Sequence, residues 1–290
     1  MNATEGRAGY RRRVWAWIRR NGGLLCLLAG IAVLAYPVAA TMWNNHAYND
    51  AANRQLAHVS RVSRADRDDA ISRAQAYNEE PARGPILDPW VEHYVPDTKE
   101  WKEYASQLDF GEGENAAWGS VVIPKIHVNL PIYRGTSDAV LAKGVGHLFG
   151  SSLPVGGAST HAVLTAHSGL GTATMFDDLP RLAAGDAFYL NVAGRRMKYV
   201  VASTEVVEPT EVDNLRVRAG EDRVTLVTCT PYGVNTHRLF VHGVRAPLEQ
   251  DDRADVNTVT PLWHNWMLWP LLVIAAGVGV GAYVAWRRRR

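Results

Sequence analysis

Two long apolar runs without charged residues, one near each end of the 290-residue chain, constrain its fold more than any other feature. The first extends from Leu24 to about Trp43 and the second from Trp266 to Trp286, and each reaches the roughly 20 residues that a membrane-spanning helix needs. Arginines lie outside both runs, at Arg11, Arg12, Arg13, Arg19 and Arg20 and again at Arg287, Arg288, Arg289 and Arg290. The positive-inside rule therefore predicts that both termini are cytoplasmic and that everything between the runs lies across the membrane.

These runs divide the chain into eight predicted segments. The segments are a basic cytoplasmic N-terminus (1–22), a transmembrane helix or signal-anchor (23–43), a helical stalk (44–80), an irregular loop (81–97), a β-rich domain (98–250), a linker (251–265), a second transmembrane helix (266–286) and a basic cytoplasmic tail (287–290). A cleaved signal peptide is the alternative for the first run, because Val38-Ala39-Ala40 resembles a cleavage site.

The segment before the β-rich domain changes character at Pro81. From Tyr48 to Glu80 the chain has no glycine or proline, which favours helix. Its apolar positions form a loose stripe of Ala51, Leu56, Val59, Val62 and Ile71. The following stretch, "PARGPILDPWVEHYVPD", contains four prolines and one glycine, so it predicts an irregular path.

From about Trp118 to Pro247 the sequence alternates or is rich in Val, Ile and Tyr, with Gly, Pro and Asn/Asp clusters between the runs. Seven segments fit strands: "WGSVVIP", "IHVNLPIY", "HAVLTAH", "DAFYLNV", "RRMKYVVASTEVV", "RVTLVTC" and "RLFVHGVRA". Short helical turns are predicted at "SDAVLAKG" and "TATMFDDLPRL". This spacing predicts an all-β barrel or sandwich.

Composition excludes several functions. The net charge of +2 gives no support for nucleic-acid binding, and no cofactor motif is present. Cys26 lies inside the first apolar run, so Cys229 is the one cysteine of the predicted outward-facing domain and has no disulfide partner there. With one cysteine available, a zinc site is a poor alternative, and Cys229 is either a reactive thiol or an inert core residue.

The neighbours of Cys229 favour a reactive thiol. Cys229 ends a predicted strand, Arg238 begins the next, and pairing of the two through the Thr230–His237 turn would place both side chains at one cleft. His167 also ends a strand, in "VLTAHSGLG", and could serve as acid and base. Five further histidines lie on or beside strands, so position alone does not exclude them: His127, His147, His161, His237 and His242. We expect Asp177-Asp178 to be a surface feature.

Five ordered motifs carry a family resemblance. They are "ILDPWVEHY", "KGVGHLFGSSLPVGG", "THAVLTAHSGL", "MFDDLPRLAAGDAFYLNV" and "TLVTCTPYGVNTHRL". From about Tyr77 to Pro247 the chain resembles the sortases, and among them the class C, pilin-polymerising branch. Two positions depart from the family pattern: Ser168 stands where an arginine is common and Phe149 where an acidic residue is common.

The resemblance implies a closed eight-stranded β-barrel with short helices, preceded by a helical N-terminal segment and flanked by the two transmembrane helices. It implies that Cys229 is the nucleophile, that His167 is the general acid and base, and that Arg238 holds the substrate carbonyl or oxyanion. The implied partners are pilin subunits with an LPXTG-like sorting signal and an acceptor lysine, at the membrane of a Gram-positive bacterium. No metal and no cofactor are implied.

Residues 81–97 correspond to the lid of this branch. The resemblance implies that Asp88, Pro89 and Trp90 form it, with Asp88 paired to Arg238 and Trp90 over Cys229; we expect this ion pair to be exposed and weak. Thr228 and Thr230, which flank the cysteine, are predicted substrate-groove residues. Three alternatives remain: a sortase that anchors proteins to the cell wall, a cysteine peptidase, and a membrane-tethered β-barrel binding module with an incidental cysteine.

Overall fold

The computed structural model describes residues 3–80, 86, 88, 90, 98–111, 113, 116–249, 252 and 259–290, with side chains from Trp15 onward except those of residues 16, 19, 20 and 288. The α-helices with described bounds are α1 (Ala3–Arg61), α2 (Arg64–Glu79), α3 (Lys99–Ala105), α4 (Asp138–Leu141) and α5 (Leu268–Arg289). The chain forms two compact units, Met1–Met42 with Leu262–Arg290, and Trp43–Pro261.

The first unit contains the two apolar runs. Helices long and apolar enough to cross a membrane cover Asn21–Arg61 and Asn265–Arg287. Within this unit Leu27 packs against Gly277 and Gly281 of α5, where a Cβ atom at Gly281 would lie 3.3 Å from the leucine side chain. The glycines therefore leave room for Leu27 in the packing of one helix against the other.

The predicted stalk is helical, and α1 continues into it without a break at residue 44. Its buried face is formed by Tyr48, Ala52, Gln55 and Val59, at the spacing of one helix face. The Tyr48 hydroxyl donates to the Ala142 carbonyl at 3.0 Å. Leu56, which we placed in the apolar stripe, is instead 43% exposed, because it lies at the edge of that face and not on it.

The β-rich domain is a closed barrel, as predicted. Its strands are β1 (Gly119–Ile123), β2 (Val128–Arg134), β3 (Val145–His147), β4 (Thr160–Thr165), β5 (Ala187–Val192), β6 (Arg195–Val207), β7 (Asp222–Thr230) and β8 (His237–Ala246). Their order around the barrel is β1-β2-β3-β4-β7-β8-β6-β5. The strand absent from our seven segments is β3, which is three residues long and lies in a glycine-rich stretch.

Alternate residues of the same strands enter two hydrophobic clusters. Leu164 and Leu226 belong to the main core, whereas Val163 and Val227 belong to a second cluster on the other face of β4 and β7. The second cluster also contains Leu148, Val207, Leu215 and Phe240, and Ile86, Trp90 and Val212 pack against it. Two residues of the predicted lid therefore cover an apolar face of the barrel.

Candidate active site

The β7–β8 pair brings the thiol and the guanidinium to one place. The strands are antiparallel, and Cys229 is the direct cross-strand partner of Arg238. Side chains of directly opposed residues lie on the same face of a sheet. Cys229 is 6% exposed and Arg238 5% exposed, so the predicted pairing is confirmed and the pair is buried.

His167 lies at the same end of the barrel. Strand β4 runs parallel to β7, with Thr165 beside Val227, so the residues that follow β4 lie beside those that end β7. The Ser168 hydroxyl donates to the Cys229 carbonyl at 2.7 Å. His167 therefore directly precedes a residue that contacts the backbone of the candidate nucleophile.

Arg238 is engaged by a carboxylate that comes from 150 positions earlier in the chain. Its Nε donates to Asp88 Oδ2 at 2.6 Å and its Nη2 to Asp88 Oδ1 at 3.0 Å, while Nη1 donates to the carbonyls of Asn235 and His237. The predicted pairing of Asp88 with Arg238 is present, but our expectation of an exposed pair is wrong. The two side chains are 5% and 6% exposed, because Asp88 lies between Ile86 and Trp90, which pack on the barrel.

Trp90 completes this arrangement. Its ring lies 5.0 Å from the Arg238 guanidinium and 6.3 Å from the His167 ring, and its backbone N–H donates to Asp88 Oδ1 at 2.8 Å. Trp90 thus contacts both groups that would assist the thiol. Pro89 and the remaining residues of 81–97, apart from Ile86, lie outside the described residues.

The environment of Cys229 favours the protonated thiol. Burial raises the pKa of Cys229, the Arg238 charge opposes that rise, and the Asp88 carboxylate adds to it. Because the thiolate is the nucleophilic form, the arrangement with Asp88 in place holds the sulfur in its less reactive state.

One residue near His167 was not recognised from the sequence as part of the site. Asp177 is half-buried and its Oδ1 accepts a hydrogen bond from the Gly169 N–H at 2.8 Å, which corrects our expectation of a surface feature. Burial raises the pKa of Asp177 to about 7, and the nearby Asp178 adds to the rise. Asp178 does fit the surface expectation, since it pairs with Arg181 at 3.4 Å. Neighbouring aspartates in the sequence gave no signal to separate them.

The threonines beside Cys229 differ in environment. Thr228 is fully buried and its hydroxyl donates to the Ala166 carbonyl at 2.8 Å, so its observed contact is with the backbone after β4. Thr230 is half-buried at the end of β7, where a groove contact stays a prediction.

Of the other candidate histidines, His237 lies at this end of the barrel opposite Thr230, but as the neighbour of Arg238 it points to the other face of β8. His147, His161 and His242 are buried within the protein, and His237 pairs with Glu208 at 3.2 Å on the surface. In the described part of the chain, no group of three or more His, Cys, Asp or Glu side chains is arranged to hold a metal ion.

Comparisons with known proteins agree with this geometry. A family profile described as "Sortase domain" matches residues 121–246. Sortase C-1 from Actinomyces oris is 52% identical, and the match covers 63% of this chain and 99% of that chain with a TM-score of 0.59. A Streptococcus pneumoniae sortase C, described for its catalysis and pilin substrate specificity, is 39% identical; the match covers 69% of this chain and 97% of that chain with a TM-score of 0.62. A lid mutant of sortase A from Corynebacterium diphtheriae is 40% identical, with 66% and 100% covered and a TM-score of 0.61.

One curated relative is matched over less of its length. Sortase A of Streptococcus agalactiae serotype III is 31% identical over 127 residues, which are 43% of this chain and 51% of that protein. The chain therefore spans about half the length of this relative. The profile match includes Cys229, His167 and Arg238, whereas Asp88 and Trp90 precede it.

Proposed function

Because this chain belongs to the sortase family, we propose that it is a membrane-anchored cysteine transpeptidase of the class C type, which joins pilin subunits through lysine isopeptide bonds. The observation that carries the proposal is the buried cross-strand pair of Cys229 and Arg238, with His167 at the same end of the barrel. Three functional groups converge there in a way that a binding module with an incidental cysteine does not require.

In the proposed reaction, the Cys229 thiolate attacks the Thr–Gly carbonyl carbon of an LPXTG-like sorting signal. The carbonyl oxygen becomes an oxyanion that the Arg238 guanidinium stabilises. The C–N bond then breaks as His167 gives a proton to the leaving amine, which leaves a thioacyl-enzyme. A lysine amine of another subunit attacks the thioester and passes its proton to His167, so the thiolate departs and an isopeptide bond forms.

The resting arrangement cannot perform this reaction, because the guanidinium that would hold the oxyanion is bound to Asp88. The proposal therefore includes displacement of Asp88 and Trp90 when substrate arrives. A lid of this kind supports the class C assignment over a wall-anchoring sortase, as does the similarity to a sortase C described for its pilin substrate specificity.

The test is product identification. The full-length protein in detergent is incubated with a sorting-signal peptide and, as competing acceptors, a lysine-containing pilin peptide, a glycine oligomer of the wall-crosslink type and water. Mass spectrometry should show the lysine isopeptide product as the main one. A dominant glycine-oligomer product would favour the wall-anchoring alternative, dominant hydrolysis would favour a peptidase, and an uncleaved peptide would overturn the enzyme assignment.

We further propose that both termini are cytoplasmic and that the barrel lies outside. An anchored enzyme and a substrate with its own membrane tail share one surface, which raises their effective concentration. In a protein without native cysteines, Thr210→Cys on the barrel should react with an impermeant thiol reagent on intact cells, and Arg290→Cys should react only after lysis. Labelling of both on intact cells would refute this topology.

A further inference from the structure

The backbone ladder between β4 and β7 ends before the candidate catalytic residues. The last backbone bond of this pair joins the Ala166 N–H to the Val227 carbonyl at 3.2 Å. Beyond it, two side-chain hydroxyls continue the connection, since Thr228 donates to the Ala166 carbonyl and Ser168 to the Cys229 carbonyl. Both bonds are buried, so water does not compete for them.

The opposite side of the same turn is held by the segment that follows it. The Phe176 N–H donates to the His167 carbonyl at 3.1 Å, and Asp177 accepts from the Gly169 N–H at 2.8 Å. Gly169 has φ +77°, and a Cβ atom there would lie 3.1 Å from the Gly233 nitrogen. The turn is therefore closely packed against the β7–β8 turn as well as bonded on both sides.

The role of Asp177 is not explained by an ion pair. Among the described residues no Lys, Arg or His side chain pairs with its carboxylate, and the groups that act on it are Gly169, Asp178 and the nearby Tyr232. A half-buried carboxylate that accepts from a backbone N–H makes a strong, oriented hydrogen bond. Its observed contact is with the turn that carries His167.

We propose that Ser168 and Asp177 are positioning residues that hold His167 in register with Cys229, so that the imidazole delivers its proton to the leaving amine. The inference rests on the proposed function and adds two residues to it. Ser168 ties the turn to the strand that carries the nucleophile, and Asp177 ties it to the following segment. Displacement of a catalytic group by about 1 Å can cost about a hundredfold in rate, so these bonds matter for the proton-transfer step.

The experiment uses two substrates of one sequence. One is the sorting-signal peptide with its Thr–Gly amide, and the other carries a thioester at that bond, whose thiolate leaves without needing a proton from His167. Full-length wild type, Ser168→Ala, Asp177→Ala and Asp177→Asn are compared, and Asp178→Ala is the matched control because its carboxylate pairs with Arg181. The asparagine variant keeps an oxygen that can accept from Gly169.

For Ser168→Ala and Asp177→Ala we expect kcat on the amide to fall by about tenfold to a hundredfold, with KM and thioester cleavage changed by less than about threefold. Asp177→Asn should restore most of the amide activity, and Asp178→Ala should match wild type. Thermal unfolding of each variant identifies any folding defect. If Ser168→Ala is unstable, the comparison of Asp177→Asn with Asp177→Ala tests the inference alone.

Two results would overturn the inference while the proposed function stands. In the first, wild type cleaves the amide and the alanine variants cleave it at the same rate. In the second, the alanine variants lose amide cleavage and thioester cleavage to the same extent. A wild-type protein that cleaves neither substrate would overturn the proposed function and this inference together.

Discussion

Two clusters of polar side chains lie along β4, β7 and β8, and they differ in which part of the chain supplies the remaining hydrogen-bond partner. The outer cluster is His167, Cys229 and Arg238, and the inner cluster is His161, Thr225 and His242. At the end of β4 and β7 lie His167 and Cys229, with Arg238 opposite on β8. Further along the same strands, Thr225 lies within hydrogen-bond distance of two ring nitrogens, His161 Nε2 at 2.6 Å and His242 Nδ1 at 2.7 Å.

In the inner cluster, the remaining hydrogen-bond partners of the histidines come from the barrel domain itself. His161 Nδ1 lies 3.0 Å from the Arg216 carbonyl and His242 Nε2 lies 2.9 Å from Glu205. Every ring nitrogen of the pair therefore has a partner on β6–β7 or its connections. Satisfied buried networks of this kind make a structure rigid and add to its stability.

In the outer cluster, the charged partner of Arg238 is Asp88, which precedes the barrel in the chain. The bidentate partner of Arg238 therefore lies outside the strands, and Trp90, two residues further along, covers Arg238 and His167. Substitutions in the inner cluster should cost stability without altering the chemistry, and substitutions in the outer cluster should do the reverse. The following predictions test this contrast.

The largest effect is expected for Cys229→Ala. The variant should form no thioacyl-enzyme with a sorting-signal peptide, because the nucleophile is absent. Its free energy of unfolding should stay within about 1 kcal/mol of wild type, because a buried thiol replaced by a methyl group loses little packing. Intact mass and thermal melting measure the two quantities, and Cys26→Ala is the control. A residual acyl-enzyme would exclude Cys229 as nucleophile.

The outer cluster was easier to predict from the sequence than the inner one. The short turn between two strong strand patterns determined that Cys229 faces Arg238, and this pairing did not depend on distant residues. His167 was singled out because it ends a predicted strand and is followed by glycines, and the family resemblance then implied its role. Strand position alone did not exclude His161 or His242. The structure separates them by burial, which depends on tertiary packing.

The sequence-based predictions that were wrong share a physical cause. Burial of Asp88, exposure of Leu56 and the orientation of Asp177 toward Gly169 all depend on which surface a segment packs against. Local propensity carries no such information. Strand β3 was missed for a related reason, because three residues pair only when β2 and β4 are already beside them.

Acid should destabilise the barrel through its buried histidines. Burial lowers the pKa of His147 and of His161 to about 4, against the opposing effect of backbone carbonyls. The unfolded chain takes up protons below pH 6.5 that the folded chain does not, so stability is lost as the pH falls from about 6.5 to about 4. The loss should approach about 3 kcal/mol for each histidine.

Chemical denaturation at pH 7.5, 6, 5 and 4 measures this loss. His161→Gln removes one titrating group and should flatten the stability profile between pH 6.5 and pH 4 relative to wild type, even though the variant is less stable at neutral pH. The carboxylates that titrate in the same range are common to both proteins, so their effect cancels. Parallel stability profiles for the two proteins would show that His161 does not contribute to the loss of stability in acid.

Thr225→Val should have a smaller effect on stability and almost none on chemistry. The substitution preserves shape but removes the hydroxyl between His161 and His242, which leaves buried ring nitrogens without their partner. Such a loss costs about 1–3 kcal/mol. Thr204→Val, the same change at an exposed position on β6, is the matched control. Acyl-enzyme formation measured well below the melting temperature should equal wild type, and a tenfold loss would contradict the separation of the two clusters.

The smallest effect is expected for the combined Asp88→Ala and Trp90→Ala change. Without the Asp88 carboxylate, the Arg238 charge near the thiol is unopposed, which lowers the pKa of Cys229. Without the Trp90 indole, reagents reach the thiol more easily. Reaction of Cys229 with a small alkylating reagent at pH 7.5 should therefore be faster than in wild type, because more of the thiol is present as thiolate. Glu208→Ala, which removes an exposed carboxylate near β8, is the charge-matched control.

Stability of this double variant tests whether the stretch behaves as a lid. Loss of one partner from an ion pair that stays buried costs about 3–5 kcal/mol, because the other charge remains desolvated. If Asp88 and Trp90 cover Arg238 only as a displaceable segment, water reaches the guanidinium once they are gone, and the cost should be near 1 kcal/mol. A large loss of stability with unchanged alkylation would mean that Asp88 belongs to the fixed structure of the barrel, like the inner cluster.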